Sequence, residues 1–113
     1  MNIQKMMQEA QKLQSQLQEK MAAAQEQLAE EQIEGSAGGR LVTVVLNGHK
    51  ELISVSIKPE AVDPEDVETL EDLVFAAFQG ALSAAEARSA EVMGEVQGGL
   101  GLPAGMDLGG MLG

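Results

Sequence analysis

Apolar positions follow two rhythms along the chain, the helical one on either side of a period of two. From Asn2 to about Ala29, the residues Ile3, Met6, Ala10, Leu13, Leu17 and Ala24 recur at alternating spacings of three and four, broken only where Lys20 and Met21 share a turn. The segment has neither Gly nor Pro and is rich in Gln, Glu, Ala, Leu, Met and Lys, all good helix formers. It predicts one helix of roughly 40 Å at 1.5 Å per residue. Its seam is coiled-coil-like and drifts to Met21 and Leu28. Such a helix outruns a small sheet, so its N-terminal half is expected to meet another helix.

The rhythm changes to two between Arg40 and Ile57. Two β-branched runs, Arg40-Leu41-Val42-Thr43-Val44-Val45-Leu46 and His49-Lys50-Glu51-Leu52-Ile53-Ser54-Val55-Ser56-Ile57, flank Asn47-Gly48, a strong hairpin signal because both turn residues tolerate positive φ. A turn of two or of four residues gives the same parity. Either puts Val42, Val44 and Leu46 on one face with Ile53, Val55 and Ile57, and Leu41, Thr43, Val45, Leu52, Ser54 and Ser56 on a mixed opposite face. The preceding Glu31 to Ala37 either ends the first helix at Gly35 or forms a short edge strand with Ile33 inward. The strand is the favoured reading, and Gly38-Gly39 then turns it into Arg40.

After Lys58-Pro59 the helical rhythm returns. Asp63 is expected as N-cap and Pro64 as the first helical residue, with acids in the first turn. Val67, Leu70, Leu73, Val74, Ala77, Phe78, Ala81, Leu82 and Ala85 follow at helical spacing. This helix should run to Val96 or Gln97 and cover the apolar face of the hairpin, with Phe78 and Val44 in the core. Gly98 to Gly113 contain seven Gly among apolar beads and read as a flexible tail. The expected architecture is therefore α+β, in the order α-β-β-β-α. One domain spans residues 1–97, with a tail at 98–113.

Composition limits the core to aliphatic and Met side chains, since there are two Phe, no Trp and no Tyr. With no Cys, disulfides, thiolate metal sites and Cys nucleophiles drop out. No apolar run approaches the ~18 residues of a membrane span, so a cytoplasmic protein without a membrane partner is expected. The net charge of −11 is unevenly spread: −3 over residues 1–35, +2 over 36–58, −9 over 59–97 and −1 in the tail. By itself this acidity opposes nucleic acid at long range.

Catalytic chemistry finds little support. The acids from Glu60 to Asp72 match no metal-ligand loop and read as a helix start with a solvated face. His49 is the only histidine and sits beside a turn. Gly99-Leu100-Gly101-Leu102-Pro103-Ala104-Gly105 follows no strand and opens no helix, so it is not a phosphate loop. No nucleophile elbow or Walker lysine occurs. No enzyme, cofactor, metal or small-molecule substrate is expected.

The ordered set of segments resembles one family. A Gln/Lys/Met-rich first helix is followed by Glu34-Gly35-Ser36-Ala37-Gly38-Gly39, then Leu41-Val42-Thr43-Val44 and Leu46-Asn47-Gly48, then Val55-Ser56-Ile57-Lys58-Pro59. Leu70-Glu71-Asp72-Leu73-Val74-Phe75-Ala76-Ala77-Phe78 and Gly99-Leu100-Gly101-Leu102-Pro103-Ala104-Gly105-Met106 complete it. Over nearly the whole chain this is similar to the YbaB/EbfC family of bacterial nucleoid-associated proteins. The resemblance implies a homodimer with projecting helices, likened to tweezers, that binds double-stranded DNA in the cytoplasmic nucleoid without catalysis. It offers no binding motif to carry over residue by residue. Local positive charge then suggests the contacts. Lys5, Lys12 and Lys20 stand against Glu9 and Glu19 in the first twenty residues, with Lys5 and Lys12 on one helix face. Arg88 lies in the distal half of the second helix, which the tweezer likeness puts near the projecting ends. A different class of function also suits two long helices around a hairpin: a protein-binding clamp or holdase-like module that does not touch DNA.

Overall fold

The computed structural model describes residues 2–99. Helix α1 (Ile3–Glu30) leads into strands β1 (Ile33–Ala37), β2 (Val42–Leu46) and β3 (Leu52–Ile57), a single 3-10 turn at Pro59–Ala61, and helix α2 (Val67–Gly99). The strands form one antiparallel meander in the order β1-β2-β3, so the edge-strand reading of residues 31–37 holds. Of the expected tail at 98–113, Gly98 and Gly99 belong to α2, which runs past the expected end at Val96 or Gln97, and the residues from 100 onward lie outside the described residues. Principal extents of 77 × 24 × 19 Å describe a rod rather than a ball.

The hairpin turn is longer than Asn-Gly alone. Asn47 N–H donates to the Glu51 carbonyl, and Lys50 N–H to the Asn47 carbonyl, each at 3.0 Å. Positive φ falls on Lys50, at 67°, and not on Asn47 or Gly48. Pairing also slips once. Val45 opposes Ser54 while Leu46 opposes Leu52, which leaves Ile53 as the extra residue of a bulge. Beyond the bulge the alternation is reversed, so Leu52, rather than the expected Ile53, joins Val55 and Ile57 on the α2 side of the sheet.

At the start of α2 the expected cap is displaced by three residues. Asp63 closes a local turn, accepting from Glu65 N–H at 3.0 Å, with Asp66 N–H on its carbonyl at 2.9 Å. Asp66 then caps the helix, taking Thr69 N–H at 3.3 Å and the Thr69 hydroxyl at 2.6 Å. Pro64 opens the turn instead of the helix, and the Asp66–Thr69 pair caps the helix through both the backbone and the side chain of its third residue.

The core consists of Val42, Val44 and Leu46 of β2 under Ala77, Ala81 and Ala85 of α2. Helix and sheet meet closely because β1 carries Gly35 at the crossing, where an added Cβ would run into the Ala77 carbonyl and the Ala81 amide. Seated there, α2 covers β1 and β2 and leaves β3 bare. All six β3 residues are exposed. Phe78, expected in the core beside Val44, retains 37% exposure, whereas Val44 retains 1%. The apolar stripe on α2 is thus wider than the sheet it covers.

Candidate nucleic-acid interface

Three features of the rod bear on function: an arm, the root that holds it, and an uncovered apolar face. The arm is the first half of α1. Among the described residues, helix α1 packs on α2 through its second half, with Ala24 and Leu28 against Val92 and Val96 and Leu17 and Met21 alongside. Ile3, Met6, Met7 and Leu13 are exposed, so the seam read from the sequence continues beyond its partner helix. Lys5 and Lys12 sit on this exposed stretch, about 10 Å apart along the axis. Lys20 lies nearer the root, lining a shallow groove with Ala24, Val92 and Val96.

The root is gripped from two sides. From the sheet, the β2–β3 turn docks on the last turns of α1. Gly48 N–H donates to the Leu28 carbonyl at 2.7 Å, the Asn47 amide to the Ala29 carbonyl at 3.4 Å, and the His49 ring Nε2 to the Gln25 carbonyl at 2.9 Å. These bonds add to the capping of the last turns of α1, where Glu31 N–H already reaches the Leu28 carbonyl at 3.4 Å. Asn47 is 5% exposed and fully used, for its Oδ1 accepts from His49 and Glu51 N–H at 2.9 and 3.0 Å. Gly48 is required for closeness: a Cβ there would come within 2.6–2.8 Å of Leu28.

From the other side Arg88 of α2 holds Glu31, the residue that ends α1. Nε donates to both carboxylate oxygens at 2.9 and 2.8 Å, and Nη2 to Oε1 at 2.6 Å, a forked geometry. Nη1 meets Glu91 at 3.2 Å. The guanidinium beside Glu31 holds its carboxyl below the ordinary range, outweighing the upward push of partial burial, with the Gln27 amide adding to the lowering. Glu31 in turn raises the already high pKa of Arg88.

The structure therefore separates the expected contact residues. Lys5, Lys12 and Lys20 share one arm. Arg88 lies beside Glu31 at the root, about 40 Å from Lys5 along the helix, with its guanidinium engaged by two carboxylates. Glu31 and Asn47 carry no functional signal in the sequence, since their partners lie 57 and 18 residues away and no local pattern marks such pairings.

The uncovered face joins β3 to α2. Leu52, Val55 and Ile57, with Leu70, Val74, Phe75 and Phe78 across from them, line an open groove of about 580 Å3. Phe75 is 66% exposed. Among the described residues, Glu71 is the one charged group on its lining.

An arm, a gripped root and a bare apolar face on an α-β-β-β-α frame can be set beside known proteins. The sequence profile of the YbaB/EbfC DNA-binding family matches residues 1–100. The chain belongs to this family. Among its relatives, a nucleoid-associated protein of Bacillus cereus (strain B4264) is 54% identical over 86 residues, which cover 76% of this chain and 79% of that one. A nucleoid-associated protein of Bacillus thuringiensis (strain Al Hakam) is 52% identical over the same coverage. The fold is also that of an uncharacterized protein of Helicobacter pylori whose crystal structure aligns with a TM-score of 0.68 at 19% identity, over 84% of this chain and 96% of that one.

Proposed function

We propose that the chain is a nucleoid-associated protein that binds duplex DNA as a homodimer, with little sequence preference, in the bacterial cytoplasm. The observation that carries this reading is the pairing of a cation-bearing arm with a bare apolar face on a member of a DNA-binding family. An apolar groove of that size between a bare strand and a helix is a natural dimer face, and a two-fold copy would supply a second arm. The nucleoid-associated names of relatives at 52–54% identity support the same reading. Lys5, Lys12 and Lys20 take phosphate oxygens from the two arms, and such contacts fix position without reading sequence. Arg88, expected among them, has its guanidinium committed to Glu31 and Glu91.

With few cations on a molecule of net charge −11, binding is weak and dependent on local charge. The test is fluorescence anisotropy with a labelled duplex over a salt series, alongside sedimentation velocity. The expected result is a dimer whose log affinity falls with log salt by about 0.9 per phosphate neutralised. A protein clamp is the second reading, favoured by the acidity and by exposed Ile3, Met6, Met7 and Leu13 on the arm. A dimer with no affinity for any duplex at low salt would replace the first reading with the second.

A further inference from the structure

We propose that Arg88 is a positioning residue that sets the direction of the α1 arm by gripping Glu31, and that it does not itself take a phosphate. The proposal rests on the DNA-binding reading for its consequence, but its geometry stands independently. Only Glu31 and Gln32 separate α1 from β1, so the angle at which the arm leaves the sheet is decided over two residues. The apolar contact between the helices is limited to four buried side chains with Leu17 and Met21 beside them, and about 21 Å of helix extends beyond Leu17 to Ile3. A swing of about 10° at the root, about 37 Å from Ile3, would carry the tip through about 6 Å, more than the ~3.4 Å axial spacing of phosphates on one strand.

Across that short link Arg88 makes three hydrogen bonds to one carboxylate at 2.6–2.9 Å. A planar fork restrains orientation in a way a single point charge does not. The docked turn holds the helix from the sheet side, through Leu28, Ala29 and Gln25. Arg88 holds it from the α2 side, and the two grips together resist rotation about either one. Glu91, at 3.2 Å from Nη1, steadies the guanidinium from its own helix.

Glu31→Gln gives the two possible roles of Arg88 opposite signs. If Arg88 were a phosphate contact, removing its competing carboxylate would release it, lower the net negative charge, and strengthen binding with a steeper salt dependence. If Arg88 aims the arm, the same change weakens binding although electrostatics alone would favour it. The experiment measures two quantities on Glu31→Gln, Arg88→Gln, Arg88→Lys and the swapped pair Glu31→Arg with Arg88→Glu. One is duplex affinity across salt. The other is hydrogen–deuterium exchange at residues 29–33 without DNA. We expect the three single variants to bind several-fold more weakly with an unchanged salt slope and to exchange roughly tenfold faster at the link, and the swap to recover both. Tighter binding by Glu31→Gln, a salt slope that falls by about 0.9 in Arg88→Gln, or unaltered exchange in all three would overturn the proposal. If the parent binds no duplex, the function is wrong, and the exchange data alone still decide whether Arg88 holds the arm.

Discussion

At the scale of single residues, two glycines bring backbones together and one does not. Gly48 sits against Leu28, and Gly35 against the backbone of Ala77 and Ala81. Gly48→Ala should cost about 1–3 kcal/mol as the turn is pushed off α1, read as a lower midpoint in chemical denaturation. Gly94, exposed on α2 with open space where a Cβ would be, provides the contrast. Gly94→Ala should raise stability by about 0.5–1 kcal/mol. Glu31 predicts a pH effect of defined sign. Its folded pKa is depressed from 4.5 because Arg88 donates to it, so the stabilisation it contributes is complete above 4.5 and is lost as pH falls through the lower folded value. The stability difference between the parent and Glu31→Gln should therefore shrink in acid below 4.5 and stay constant at neutral pH, as followed by urea unfolding.

At the scale of elements, period and composition made the order α-β-β-β-α legible, because a stripe at three and four and an alternation at two demand different backbones. Even the short edge strand around Ile33 could be read. The covering of the sheet could not, because it depends on Gly35 seating α2 over β1 and β2, a contact between residues more than forty positions apart. For the same reason Phe78 looked like core, and the β3 bulge hid which of Leu52 and Ile53 faces α2. Of the site, the lysines of the arm were visible as charge on a helix face. The partner of Arg88 was not, since an ion pair spanning 57 residues leaves no trace in spacing. The distinction between covered and bare strands predicts different mutant behaviour. Leu46→Ala, fully buried under α2, should cost about 2–5 kcal/mol. Val55→Glu, on the bare face, should instead abolish the dimer, giving monomer or unfolded chain by sedimentation and circular dichroism at concentrations where the parent associates. A Val55→Glu protein that remained dimeric would separate the groove from assembly.

At the scale of the whole molecule, the proposed function has an acidic rod meeting DNA through the cation-bearing arm of each copy. The acids from Glu60 to Asp72 cluster around the start of α2, at the sheet end of the rod and away from the arm tips. Replacing Lys5, Lys12 and Lys20 with Gln should therefore flatten the salt dependence by about 0.9 for each phosphate no longer neutralised. For Lys5 and Lys12 alone the thermal midpoint should stay close to that of the parent, since both are exposed. An unchanged slope would place the phosphate contacts elsewhere. The docked turn has a further consequence, for the order of events as the chain is made. The C-terminal carbonyls of α1 receive their partners from Asn47, Gly48 and His49, and that turn is closed by Glu51. During synthesis, the first helix leaves the ribosome with only the local Glu31 N–H cap on the Leu28 carbonyl at that end, and gains its hold on the sheet after some twenty further residues have followed. Nascent chains stalled before the turn emerges should carry an arm open to proteases at its root, and chains stalled after it an arm already anchored.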